Sequence, residues 1–261
     1  MRLWVFLIGQ RVGPETSFGE IYRSLLEDAD LAEQLGYHGV WIAEHHFTNY
    51  CAIPNPLMLA AAIGQRTRQL RVGTAVIVLP LHNPVRVAED IAEADHLTGG
   101  RLEVGIGRGY SSYEFMGLGT SMDDSHALLT EGLDVLFKLW EGADVEHRGA
   151  HWSFPPLTAT PACLQQPHPP LWHAAGSPSS FAAALDRGMN SFIAVGLRGR
   201  AFVEQFRGLF EEECRKRGLD PAGRRFGAQL LAHAASEPDE VERGAEAGRQ
   251  IARDRLNSDT Q

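Results

Sequence analysis

Cysteine is scarce in this chain. Three residues among 261, Cys51, Cys163 and Cys214, are odd in number and far apart. They form no CxxC pair and no disulfide framework, which points to a reducing cytoplasm. Basic runs are missing as well. Lys and Arg total 24 against 33 Asp and Glu, a formal net charge of −9, and that balance argues against nucleic acid or an anionic membrane as a partner. Apolar runs stop well short of the ~20 residues a membrane-spanning helix needs. The N-terminus, MRLWVFLIGQ, has no small-residue cleavage site and is read as a first strand rather than a signal peptide. There is no solenoid repeat and no low-complexity tract. No GxGxxG follows the first apolar run, where Gly9-Gln10-Arg11 stands instead, and this lowers the dinucleotide-sheet reading.

What is there is an ordinary globular composition, 44% hydrophobic and 22% charged, with strand and helix patterns in alternation. Strands are expected at Leu3–Ile8, Val40–Ala43, Leu70–Leu79 and Leu102–Ile106. Helices are expected at Phe18–Leu35, Pro56–Thr67, Val85–Leu97 and Asp123–Trp140, the last capped by Asp123 or Asp124. Residues 143–170 break the pattern with aromatics, prolines and a turn at Arg148-Gly149, and read as an inserted hairpin plus a loop. Alternation then resumes: strand Leu171–Ala175, helix Ser179–Arg187, strand Ser191–Val195, helix Ala201–Arg217, strand Arg225–Ala232 and helix Glu237–Leu256. Such alternation with short connections implies a parallel sheet. The size favours an α/β chain forming one (β/α)8 TIM-type barrel domain over 1–261. The count reaches about seven βα units, so the barrel is expected to be incomplete at its C-terminus.

Four segments have the residue types of a site. Trp41–Phe47 ends the second strand, at the barrel face where active sites are built. Successive residues of a strand point to opposite sides, so His45 and His46 are not expected to share a metal. One packed and one surface His is the plain reading; one His acting as a proton donor or acceptor in a pocket is the sharper one. Gly105–Tyr110 places Arg108 between two glycines, suited either to a phosphate or carboxylate or to a tight turn with Arg108 paired to a neighbouring acid. Ala174–Ser180 joins small residues and hydroxyls to a helix start, which makes an anion site or plain N-capping. Arg108 and this loop follow successive strands, compatible with one phosphate. Gly73–Pro80 is a flat platform for a ring or simply barrel wall.

These pieces, in this order, resemble the bacterial luciferase-like flavin monooxygenases. The resemblance rests on WIAEHHFT (41–48), GTAVIVLP (73–80) with Asn83–Arg86 and Ala88–Asp90 behind it, and Gly100–Leu102 leading into GIGRGY (105–110). Glu114-Phe115, Gly117, Gly119 and Met122–Ser125 continue it. It implies a (β/α)8 barrel binding reduced FMN that a separate flavin reductase supplies. Oxygen then forms a peroxyflavin that oxygenates an aldehyde or other apolar small molecule. By resemblance, His45 is the catalytic residue beside the isoalloxazine, and Ala75-Val76 is a cis peptide under the ring. Glu44, Gly107, Gly109, Tyr110 and Ala175 line the cofactor, while Arg108, Ser177 and Ser180 hold its phosphate. An apolar wall at Val76–Leu79 is expected to shield the ring. His126 stands where the luciferases carry a second phosphate-binding Arg, Gly176 where they carry Glu, and Gly107 where they carry a reactive Cys. Relatives also imply a homodimer through the helices after the second and third strands, Pro56–Ile63 among them. The alternatives are a non-catalytic flavin-binding or truncated relative, a deazaflavin-dependent oxidoreductase of the same superfamily, and a metal hydrolase built on His45 and His46.

Overall fold

A computed structural model describes residues 1–232 and 235–258. They fall into two compact units, residues 1–171 and those from 172 onward.

The first unit opens with β1 (Trp4–Leu7), α1 (Phe18–Gln34), β2 (Gly39–Ile42), α2 (Pro56–Arg66), β3 (Arg71–Val78), α3 (Pro84–Leu97) and β4 (Leu102–Gly107). The strands run parallel in the order β1-β2-β3-β4. Helix starts follow from the local sequence. Ser17 accepts the Glu20 N–H while the Glu20 carboxylate accepts the Ser17 N–H, a reciprocal capping box. Asn55 and Asn83 cap α2 and α3, each followed by a proline whose missing N–H costs nothing at that position. Buried faces supply the core: Ile21, Leu25 and Ala29 of α1, Ile63 of α2, Ile91 of α3, and Val40, Ile42, Val72, Val104 and Ile106 of the strands.

Strand register is set by size. Trp4 pairs with Gly39, and Trp41 pairs with Gly73. A Cβ on Gly39 would lie 2.3 Å from the Trp4 ring, and one on Gly73 would lie 2.2 Å from the Trp41 ring. The two indoles stack with centroids 4.6 Å apart. Each large ring therefore lies over a glycine of the neighbouring strand.

After β4 comes a short helix, α4 (Ser112–Gly117). A 3-10 turn, Met122–Asp124, precedes α5 (Ser125–Glu141). Asp124 occupies the cap position without a side-chain bond, while Ser121 caps the turn before it. The 143–170 excursion contains the expected hairpin: β5 (Val145–Arg148) pairs antiparallel with β6 (Ser153–Leu157). Glu131 of α5 holds its turn by accepting the N–H groups of Ala150, His151 and Trp152.

The second unit takes in β7 (Leu171–Ala174) from its second residue, then α6 (Pro178–Asp186), β8 (Asn190–Gly196), α7 (Gly199–Lys216), β9 (Phe226–Leu230) and α8 (Pro238–Ser258). Its strands are parallel in the order β7-β8-β9. Phe181, Leu185, Ile193, Val195, Phe210 and Cys214 form its core. Seven parallel strands are thus present among the described residues, matching the expected count. No described helix is long and apolar enough to cross a membrane. The three cysteines are free and buried.

Candidate active site

The end of β2 is where chemistry concentrates. His45 and His46 lie just beyond β2, and their rings engage different partners, Glu114 and Glu44 respectively. The Nδ1 of His45 lies 2.8 Å from Oε1 of Glu114, which is buried in α4. A carboxylate only accepts, so Nδ1 carries the proton and donates. The Nε2 of the neutral ring is then an acceptor, and the Tyr110 hydroxyl lies 3.3 Å from it. The same Glu114 oxygen accepts the His46 backbone N–H at 3.0 Å. Glu114 therefore fixes both the tautomer and the orientation of His45.

His45 also lines a cavity of about 350 Å3 with Phe18, Tyr22, Phe47, Cys51 and Pro54. At its rim Phe47 is held in the left-handed region, φ 59°, costly for a bulky side chain and often found at functional sites. Its ring fits because residue 117 is glycine; a Cβ there would lie 2.4 Å from the ring. Cys51 in the wall is inert as a nucleophile, since burial pushes its thiol up to about 12.

Glu44 and His46 belong to a different cluster. Oε1 of Glu44 lies 2.8 Å from Nε2 of His82 and 3.2 Å from Nε2 of His46, and its Oε2 accepts the Val78 N–H at 3.3 Å. Burial alone raises the Glu44 carboxyl. The hydrogen bonds and charges of His46 and His82 outweigh it and hold the group below the usual carboxylate range. The Glu44 side chain, expected at the cofactor, is thus engaged in this cluster.

Ala75 and Val76 at the end of β3 are half-buried, and the peptide between them is cis, as the resemblance implies. The apolar wall expected at Val76–Leu79 is narrower than that. Ile77, Val78 and Leu79 are 2%, 3% and 1% exposed. They form core behind the surface, so only Ala75 and Val76 are presented. Gly107 is buried, and a Cβ on it would lie 2.7 Å from Val76. Gly109 has φ 80°, with its Cβ position 2.6 Å from Val78, so both the turn and the space demand glycine.

Arg108 is exposed and makes no ion pair among the described residues, which removes the reading of a turn arginine paired to an acid. His126 is exposed in the first turn of α5. In the second unit, Ser177 Oγ accepts the Ser180 N–H, and Ser180 Oγ accepts the N–H groups of Gly176 and Ser177. This is the N-capping arrangement. A third hydroxyl, Ser179, lies 2.9 Å from Ser177 Oγ, and the space beside Gly176 is open. Ala175 is buried next to this loop.

Sequence reasoning missed Glu114 and His82. Glu114 was visible only as part of a family string, in a helix too short to show periodicity. His82 sits in a Pro-rich turn with no local pattern, 38 residues from Glu44 in the chain.

Comparison with known proteins gives these residues a frame. The family model described as luciferase-like monooxygenase matches residues 1–260. The oxygenase component of the flavin-dependent trigonelline monooxygenase of Acinetobacter baylyi is 35% identical over 218 residues, 83% of this chain and 60% of that protein. The chain thus spans well under two thirds of that relative's length. Among solved structures, the monooxygenase RslO1 from Streptomyces bottropensis superposes with a TM-score of 0.91 at 29% identity, covering all of this chain and 80% of that one. The FMN complex of the oxygenating constituent of 3,6-diketocamphane monooxygenase from Pseudomonas putida gives a TM-score of 0.79 over 92% of this chain and 69% of that one. At 20% identity it speaks for the fold alone, the TIM-type barrel. On the family match, the chain belongs to the luciferase-like monooxygenases.

Proposed function

We propose that this chain is the oxygenase component of a two-component monooxygenase. It would use reduced FMN from a separate reductase, together with O2, to oxygenate an aldehyde or other apolar small molecule. The observation that carries the reading is His45, locked by Glu114 on one nitrogen and open to Tyr110 on the other, in the wall of a cavity that Phe18, Tyr22 and Phe47 also line. A single imidazole with a fixed tautomer can move a proton at Nε2, and Tyr110 is placed to exchange it.

The residues present fit the cofactor. An unpaired guanidinium at Arg108 suits a phosphate dianion, with His126 as a second cation when protonated. Separately, the hydroxyls of Ser177, Ser179 and Ser180 at the start of α6 suit phosphate oxygens. Ala75, Val76, Gly107 and Gly109 offer little side-chain bulk against a planar ring. When bound, reduced FMN supplies the electrons for oxygen activation. The protein's own part is to position, to exclude water and to hold the proton at His45.

The test is titration of the chain with photoreduced FMN, then mixing with O2 and a long-chain aldehyde. His45→Ala should lower oxygenation by about 100-fold or more, in the range of lost general acid–base catalysis, with FMN affinity nearly unchanged. Absence of FMN binding, preference for a deazaflavin, or equal loss of affinity and turnover would overturn the assignment.

A further inference from the structure

The proposed oxygenation leaves one buried titratable cluster without a role. Glu44 and His46 lie two residues apart just beyond β2 and hydrogen-bond to each other, whereas the His45 ring pairs with Glu114. His82 reaches them from the 3-10 turn after β3. Their nearest donor atoms, one carboxylate oxygen and two imidazole nitrogens, all lie within 4.8 Å of one another. We propose that Glu44, His46 and His82 form a binding site for one divalent transition-metal ion, with zinc the ion the donors suit best.

Four observations carry this. The donor set is two imidazoles and one carboxylate, the composition of zinc sites that keep an open fourth position; imidazole disfavours magnesium and calcium. Both Nε2 atoms converge on a single oxygen, Oε1 of Glu44. The three donor atoms are therefore already gathered in one small space. The carboxylate is pinned from behind, because Oε2 accepts the Val78 N–H, so little ordering remains for the ion to impose. There is also a way in. The side chains of Glu44 and His46 are 0% and 10% exposed, whereas His82 is 29% exposed and opens the cluster to solvent. Binding requires both rings to be neutral with the proton on Nδ1, so the ion takes the place of the two Nε2–H bonds to Glu44. The proposal is independent of FMN: neither site needs the other to be occupied.

The experiment is a zinc titration of the untagged, chelator-treated full chain against a chromogenic indicator, repeated with cobalt(II). One zinc per chain is expected. His82→Gln and His46→Gln should each weaken binding about tenfold or more, as loss of a ligand requires, and His151→Gln, at an exposed hairpin histidine, should not. Cobalt should give the visible bands of low-coordinate nitrogen–oxygen ligation in the unmutated chain and lose them in His82→Gln. Zinc binding that persists in both ligand variants means the ion sits elsewhere and overturns the proposal. Where a variant fails to fold by circular dichroism, the cobalt spectrum of the unmutated chain decides, and absence of the bands overturns the proposal.

Discussion

If Glu114 works by orienting His45, its removal must show in two separable measurements. Glu114 is 3% exposed, and one of its oxygens accepts two donors, His45 Nδ1–H at 2.8 Å and His46 N–H at 3.0 Å. Glu114→Ala leaves both without an acceptor. A buried unsatisfied donor costs about 1–3 kcal/mol. The backbone N–H of buried His46 should bear most of that, while the His45 ring, 15% exposed, recovers part of its loss from water. The total expected is about 2–4 kcal/mol, a large share of the ~5–15 kcal/mol by which a domain is stable. Glu114→Gln keeps a carbonyl oxygen in place and should lose only about 1 kcal/mol. Urea midpoints of the three proteins measure this directly. The second measurement is stopped-flow reoxidation of protein-bound reduced FMN and turnover of a long-chain aldehyde, in a double-mutant cycle with His45→Ala. A residue that acts through His45 has nothing left to act on once His45 is gone, so Glu114→Gln should slow the native protein and leave His45→Ala unchanged. Equal slowing in both backgrounds would refute the positioning role, and an unchanged urea midpoint in Glu114→Ala would refute the hydrogen-bond accounting.

Three further outcomes follow from other parts of the molecule. Arg108→Ala should weaken FMN about tenfold, the low end for a charge-assisted bond at an exposed site, and leave riboflavin, which lacks the phosphate, unaffected; fluorescence titrations that fall together would remove Arg108 from the phosphate. Glu33 of α1 accepts the N–H groups of Arg68, Gln69 and Leu70. Burial raises its carboxyl, yet those three bonds together hold it below the usual range. Its contribution is therefore complete above the unfolded value of about 4.3 and is lost as pH falls through the lower folded value. Glu33→Gln should cost about 1–2 kcal/mol at pH 7 after solvent screening and progressively less as pH falls below about 4.3, and a gap between the two urea midpoints that does not change with pH would contradict this. Phe181 is fully buried against Phe206, Phe210 and Phe226, so Phe181→Ala should cost about 3–5 kcal/mol, and a loss below about 1 kcal/mol would mean that core is loosely packed.

Much of the framework was legible because it is local. The amphipathic helices and the Val- and Ile-rich strands are written in short windows, and the observed ends fall within a few residues of those expected from the pattern. That the rings of His45 and His46 do not share a partner agrees with the expectation, although β2 itself ends at Ile42. Their partners were not legible. Glu114 lies 69 residues from His45, and His82 lies 38 from Glu44. No periodicity connects positions so far apart; only the parallel arrangement of β2, β3 and β4 brings their ends together. The apolar run after Val76 was misjudged for a related reason, since composition cannot tell a wall that faces a ligand from one that faces the core.

The Trp–Gly pairs at the start of the sheet and the Glu-His-His segment at its end are linked by register. The segment follows directly on β2, so a one-residue slip of β2 would shift His45 and His46 out of their present surroundings. It would turn the Glu114 partner toward Glu44 and empty the cavity wall of its imidazole. That slip is blocked at the other end of the strand. Trp41 would leave Gly73 for Val72 or Thr74, and Trp4 would leave Gly39 for His38 or Val40. Each indole would then meet a Cβ where there is now space only for a hydrogen, at separations near 2.2 Å. Steric exclusion of that size is not relieved by small adjustments in a close-packed interior. Two glycines remote from the chemistry thus decide which histidine faces the cavity, and a Gly73→Ala chain should lose the His45 arrangement through β2 rather than through any contact with the site.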